Sequence, residues 1–239
     1  MNESLGVSVL SLGYEIERNS RDWPTVTISI GGVNPFAEVA PEWGGFDPQD
    51  VFIEDSPLLP QHPPRRVGVW RCSCGIEGCG VIAPVIAATA DAEWVTWSDP
   101  CDYTGVFVGP YPIGPDPANG RPWPLPTYRF AMGQYVAEVR RATADRSWES
   151  PRRATARFLT ERLRGSELPA GLSFRWASPG KDGYAVSYQR NSTDPDWFRQ
   201  VVLLMTSDET DSALAAQDMA DRLLATPPDE RDSRYGWRR

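Results

Sequence analysis

Histidine is all but missing from this 239-residue chain. The one copy, His62, stands in Gln61-His62-Pro63-Pro64, where consecutive prolines predict an irregular loop and a poor rigid support for chemistry. A Ser-His-Asp or Cys-His device would have to use that residue, so nucleophilic catalysis of this kind has no good candidate. The phosphate-binding loop G-x-x-x-x-G-K-[ST], the G-x-G-x-x-G turn, the H-E-x-x-H helix and the G-x-S-x-G elbow are absent as well. No catalytic residue is nominated. Long apolar runs are also lacking: even Val201 to Met205 is bounded by Gln200 and Thr206, far short of the roughly 20 residues a membrane helix needs. The opening Met1-Asn2-Glu3-Ser4-Leu5 has no basic segment, and Leu10, Leu12, Tyr14 and Ile16 alternate with other residues, so a cytoplasmic location is expected.

Cations are in deficit, with a net charge of −8, which disfavours unspecific binding to a phosphate backbone. The deficit is uneven. Between Pro126 and Gly165 nine arginines face four acids, so Arg140, Arg141, Arg152, Arg153 and Arg157 are candidates for contacting nucleic acid or an acidic partner. The competing reading is a solvated helix face, because Glu138, Asp145, Glu149 and Glu161 stand at pairing distance along the same segment.

Cysteine is scarce, but what there is lies close together. Cys72, Cys74 and Cys79 fall within Arg71-Cys72-Ser73-Cys74-Gly75-Ile76-Glu77-Gly78-Cys79-Gly80, and Cys101 follows later. In a reducing compartment such thiols are metal ligands or free thiols sooner than disulfides. Zinc requires four ligands in a tetrahedron, so the expected set is Cys72, Cys74, Cys79 and Cys101, with His62 as the alternative fourth ligand. Gly75, Gly78 and Gly80 would allow the tight turns of such a loop. The opposing reading makes the glycines a plain hairpin loop and the thiols small hydrophobes.

Period-two alternation predicts hairpin strands around Leu10–Ile16 and Val26–Ile30, followed by an irregular stretch from Gly31 to Pro64. A meander then follows: Arg66–Cys72, Gly80–Ala87 and Glu93–Ser98, with Cys101 returning to the knuckle end. Seven prolines between 109 and 126 mark a connection. Beyond it, Thr127 and Ser150-Pro151 predict the starts of two helices, the second stopping at Gly165. Strands are expected at Leu172–Trp176, Tyr184–Tyr188 and Trp197–Thr206, the last one central and covered on both faces. Thr206 and Glu209 form a capping box for a final helix. The expected fold class is α+β: β hairpins and a meander over residues 1–108 with the cysteine knuckle, a proline-rich connection over 109–126, and an α+β region over 127–228. That region would hold a helix pair, a three-stranded antiparallel sheet and a C-terminal helix, and residues 229–239 would form a flexible tail.

The pieces Trp43-Gly44-Gly45-Phe46-Asp47, Ser56-Pro57-Leu58-Leu59-Pro60, Arg66 to Gly75, Gly78-Cys79-Gly80 and Trp94-Val95-Thr96-Trp97-Ser98-Asp99 resemble an uncharacterised bacterial family. That family shares an RCSCG…GCG core followed by a V-x-W-S-D segment. The likeness covers roughly residues 8 to 105 and three of the four cysteines, and it implies no particular activity or ligand. Trp70, Trp94 and Trp97 flank the knuckle as an aromatic platform or, on the plainer reading, as core.

The expectation from the residues is a non-enzymatic module that binds another macromolecule, most readily a protein, in an immunity- or phage-related setting, with a structural zinc site. The alternatives are an enzyme with a carboxylate- or cysteine-based site between the two halves and a nucleic-acid binder using the arginine-rich helices.

Overall fold

The computed structural model describes residues 6–16, 23–74, 79–107, 109–112, 120–169, 171–190 and 200–236. The chain divides into two compact units, residues 1–148 and 149–239. The division falls at Trp148/Glu149 and not in the proline-rich connection, because the first long helix packs in the first unit. The fold class is α+β, as the residue pattern predicts.

In the first unit the alternating residues of β2 (Leu10–Ile16) and β3 (Pro24–Ile30) pair antiparallel in the register Leu10↔Ile30. Leu10, Leu12, Val26, Ile28 and Ile30 face the core, while the polar residues between them point outward. Most of the expected turn between these strands lies outside the described residues. Residues 31–64 form irregular structure with one short helix, α1 (Pro48–Val51), capped by Asp47.

The main sheet runs β1-β9-β7-β6-β4, with β5 also on β6 and β8 also on β7. Its members are β1 (Val7–Ser8), β4 (Arg65–Arg66), β5 (Trp70–Arg71), β6 (Val81–Ala88), β7 (Trp94–Tyr103), β8 (Arg121–Pro122) and β9 (Tyr128–Ala131). The expected strand Arg66–Cys72 is split into β4 and β5, although Val67 and Val69 still bond to Pro84 and Ile82 of β6. Larger differences occur at β7 and β9. β7 does not stop at Ser98: it continues to Tyr103, paired with Val81 on β6. Tyr128 to Ala131, expected to open a helix, instead pairs with Trp94 to Trp97, so the helix α2 (Met132–Ala144) begins five residues after Thr127. Among the proline-rich residues, Arg121–Pro122 pairs with β7 and Trp123 packs on the core, while 113–119 lie outside the described residues.

In the second unit, Ser150 caps α3 (Pro151–Leu163), accepting from the Arg153 N–H at 3.3 Å, and Gly165 follows in the left-handed conformation at φ +82. The sheet is a meander of four described strands, β10 (Glu167–Leu168), β11 (Leu172–Gly180), β12 (Gly183–Arg190) and β13 (Gln200–Met205). The β11–β12 hairpin is tight, since Gly180 pairs directly with Gly183, and β11 runs past the expected Trp176 to Gly180. β13 lies at the end of the strand order, with Leu204 45% exposed, and so is not covered on both faces; residues 197–199 lie outside the described ones. α4 (Ser212–Ala225) is capped by Asp211, whose carboxylate accepts from Ala213 and Leu214 N–H, and not by Thr206. Residues 229–236 are no free tail: α5 (Arg231–Tyr235) buries Arg231, which donates to the carbonyls of Thr226, Glu167 and Leu224. Among the described residues no helix is long and apolar enough to cross a membrane.

Candidate metal centre

Residues 72–80 connect β5 to β6 at the end of the main sheet where Arg71 pairs with Val81. The Cys72 N–H donates to the Gly80 carbonyl at 2.9 Å, extending the ladder by one step and drawing both ends of the loop together. Thr104, just past β7, donates its hydroxyl to the Cys79 carbonyl at 3.2 Å. From another side the Trp43-Gly44-Gly45-Phe46 segment is zipped on: Gly44 and Arg71 exchange both backbone hydrogen bonds at 2.9 and 2.8 Å, and the Ser73 hydroxyl donates to the Glu42 carbonyl. Gly80 is needed here because the Trp43 ring crosses it. A Cβ at position 80 would lie 2.5 Å from that ring.

On this base the sulfurs of Cys72, Cys74 and Cys79 all lie within 4.8 Å of one another, and the three residues can hold a metal ion. Tetrahedral zinc with bonds of about 2.3 Å sets its sulfurs about 3.8 Å apart, a separation this spread admits. The Cys74 backbone N–H points to the Cys72 sulfur at 3.4 Å. Cys74 and Cys79 are exposed and Cys72 is half-buried. Hydrogen bonds to Cys74 and then Cys72, with the like charge of the two neighbours, push the Cys79 thiol up to about 11. Protonated at neutral pH, it is a poor nucleophile, and a bound cation would reverse that preference.

The expected fourth ligand is not there. Because β7 runs on to Tyr103, Cys101 lies within the strand opposite Ala83, buried, and is not one of the clustered cysteines. Burial pushes its thiol up, and its sulfur lies 3.7 Å from the Asp99 carboxylate. Its neighbourhood serves a different purpose. Arg66 donates to the Ala83 and Asp99 carbonyls at 3.2 and 2.7 Å and pairs with the Asp99 carboxylate, satisfying backbone groups where the β6–β7 register shifts and Asp99 adopts φ +47. His62, exposed and followed by a cis peptide bond to Pro63, is not in the cluster either. Gly75, Ile76, Glu77 and Gly78 lie outside the described residues.

The tryptophans nominated as a platform are mostly interior. Trp70 stacks on Phe36 at 4.7 Å, and Trp97 donates its indole N–H to the Tyr135 hydroxyl at 2.9 Å. Only Trp94 is half-buried, under the Arg129 guanidinium at 3.9 Å. The aromatic residue that does touch the knuckle is Trp43, which also stacks on Trp123 at 5.7 Å. Its signal was present in the Trp43-Gly44-Gly45-Phe46 motif, but nothing local tied that motif to the cysteines.

Most of the arginines are committed within the fold. Arg141 binds Glu138 at 2.7 Å and the Leu12 carbonyl at 2.5 Å. Arg152 donates to the carbonyls of Gly180 and Gly183, Arg153 is buried, and Arg157 holds Glu149 and Glu161 at 2.8 and 3.1 Å. Arg140 alone of the five has no partner among the described residues. For a carboxylate-based site, the second unit offers an open hollow of about 300 Å³ beside Asp208, Glu209 and Asp218, where Asp218 is already neutralised by Arg222 at 3.0 Å. No protein-family model, curated protein or solved structure matches the chain, so the three-cysteine centre is read from its own geometry.

Proposed function

We propose that the chain is a non-enzymatic, metal-stapled module that binds another protein, with Cys72, Cys74 and Cys79 holding one zinc ion as a clip at the end of the main sheet. The observation that carries the metal half is the convergence of three sulfurs within 4.8 Å on a loop anchored by backbone bonds at both ends. The high-lying Cys79 thiol argues against Cys79 itself as a nucleophile. The internal engagement of Arg141, Arg152 and Arg157, with the net charge of −8, favours a protein partner over a phosphate backbone.

Metal analysis of purified protein with thiol titration tests the clip. The expected result is one zinc per chain, with three thiols unreactive until a chelator is added and the fourth, Cys101, reactive only on denaturation. Metal-free protein with three freely titrating thiols would remove it. The docking half fails if the zinc-loaded chain forms no stoichiometric complex with any protein of its host.

A further inference from the structure

We infer that the partner this chain docks is a basic protein, and that one of its lysine or arginine side chains enters a hollow beside β3, lined by Trp43 and Glu15. The inference rests on the docking half of the reading above and deepens it; the metal half plays no part in it.

The charge of the chain is divided unevenly between its units. Residues 1–148 hold ten arginines against eighteen acids, and residues 149–239 hold fourteen cations against fourteen acids, so the whole net charge of −8 belongs to the first unit. Within that unit no lysine or arginine occurs from Trp23 to Pro64, a stretch that carries six acids. Glu38 and Glu42 are exposed there, as is Glu15 on β2, and none of these three carboxylates has an ion-pair or hydrogen-bond partner among the described residues. Elsewhere acids such as Glu138 and Glu149 are matched with guanidiniums of the same chain. Here the opposite charge is left to another molecule, and a surface of one sign draws it in.

The same surface has a shaped opening. A hollow of about 190 Å³ is lined by Glu15 of β2, by Thr25 and Thr27 of β3, and by Ala37, Pro41 and Trp43 of the segment that follows. It has room for about six waters, and so for the end of one long side chain. Backbone contacts fix its wall: Val26 donates to the Phe46 carbonyl at 2.8 Å, and Gly44 exchanges both of its backbone bonds with Arg71. Trp43 is held by stacking on Trp123 at 5.7 Å. A Cβ on Gly44, which also lines the hollow, would meet nothing within 4 Å, so the space before the wall is open.

The lining fits a cation carried on an alkyl stem. Ala37 and Pro41 offer apolar surface to methylene groups, the Thr25 and Thr27 hydroxyls can accept from an ammonium or a guanidinium, Glu15 supplies the countercharge, and an indole such as that of Trp43 attracts a cation to its ring. Among the described residues no cation of the chain lines the hollow. The chain itself uses this pairing elsewhere, where Arg129 lies over Trp94 at 3.9 Å. Other occupants each meet an obstacle. A nucleic acid or an anionic lipid surface is repelled by the charge of the unit. A bare divalent ion wants about six oxygen ligands, where the lining offers one carboxylate. A neutral ligand leaves Glu15, Glu38 and Glu42 without the opposite charge.

Fluorescence polarisation of a labelled peptide alternating arginine with glycine, titrated with the full-length protein, tests this. The expected result is saturation at one peptide per chain, loosening as salt is raised, with no binding of a peptide in which glutamate replaces arginine. Glu15 and Ala37 are both exposed, so their variants should keep the wild-type circular dichroism. Glu15→Gln should loosen binding about three- to five-fold, and Ala37→Lys, which sets a cation of the chain's own in the hollow, should abolish it. Glu54→Gln removes an equal charge from an exposed position outside the lining and should leave the affinity as it was. Failure of the arginine peptide to bind, equal binding of the glutamate peptide, or an affinity that Glu15→Gln and Ala37→Lys leave unaltered would overturn the inference. Equal loosening by Glu15→Gln and Glu54→Gln would overturn the hollow by reducing the attraction to unfocused charge. A stoichiometric complex with a host protein that survives Ala37→Lys would overturn the inference and leave the docking reading standing.

Discussion

Leu12 shows how a single edge residue can decide what an arginine is for. Its backbone N–H donates to Glu138 Oε1 at 2.6 Å and its carbonyl accepts from Arg141 at 2.5 Å, while one helical turn earlier Gln134 serves both backbone groups of Leu10. Gln134, Glu138 and Arg141 therefore stand in for a missing strand along β2, and they protect an edge that would otherwise offer unpaired groups to another chain. The Arg141 guanidinium, then the Leu12 N–H, hold the Glu138 carboxyl below the usual carboxylate range against the opposing effect of burial. Glu138→Ala should therefore destabilise the first unit by about 1–3 kcal/mol, since it strands a backbone donor as well as Arg141. Because the folded pKa lies below the unfolded one, the part of this stability due to charge is fully present above about pH 4.3 and is lost as pH falls through the folded value. Denaturant unfolding at pH 7 and pH 3.5 measures both, and a gap between wild type and Glu138→Gln that stays constant between the two would refute the linkage. The spacing of Glu138 and Arg141 allowed their pairing to be read from the residues, but Arg140 and Arg141 are adjacent and chemically identical, and only the tertiary position of β2 shows which of them is committed to the fold. Cys101 carries the same lesson. Nothing in its spacing from Cys79 marks it as a strand residue, and Cys101→Ala should leave one metal per chain while costing stability alone, a pairing of metal analysis with unfolding that would fail if zinc were lost.

At the scale of elements, the features legible in the sequence were those set by local chemistry. Alternation in Leu10–Ile16 produces β2, and the Ser150-Pro151 pair starts α3 where expected. What local chemistry leaves undetermined is where a strand stops, because that depends on the neighbour available to pair with it. β7 runs to Tyr103 because β6 and β8 supply partners for its last residues, and Tyr128–Ala131 stays extended because Trp94–Trp97 lies alongside. The knuckle was half legible: the sequence clusters its sulfurs, but its base is assembled from the Trp43–Phe46 segment some 30 residues away. Two glycines test that base. At Gly80 an added Cβ meets the Trp43 ring at 2.5 Å, so Gly80→Ala should cost about 1–3 kcal/mol and weaken zinc binding about ten-fold or more as the loop shifts. At Gly45 the Cβ would stand 1.9 Å from the Val26 carbonyl oxygen, which cannot move without breaking the Val26 N–H bond to the Phe46 carbonyl, and Gly45→Ala should prevent the first unit from folding. A competition titration against a zinc-binding dye separates the two. Unchanged affinity in a folded Gly80→Ala protein would mean that Trp43 does not support the site.

On the scale of the whole molecule, each unit has its own core. Leu10, Ile82, Trp97 and Tyr135 belong to one buried cluster, and Leu159, Val186, Leu203 and Met219 to the other. Separate cores of this size can melt as separate cooperative transitions, and here the spectroscopic signals divide with them. Seven of the ten tryptophans lie before residue 149, so fluorescence reports chiefly on the first unit. α3, α4 and α5 all lie after it, so the far-ultraviolet helix signal is weighted to the second. The proposed zinc site lies wholly inside the first unit, and a ligand present at 100 times its dissociation constant stabilises what it binds by about 2.7 kcal/mol. Removing the metal should therefore lower the midpoint of the fluorescence transition by several degrees and leave the second unit's helix transition where it was. Coincident transitions that shift together on chelation would mean that the two cores unfold as one. A fluorescence midpoint indifferent to zinc would mean that the three sulfurs, however close, hold nothing that the fold depends on.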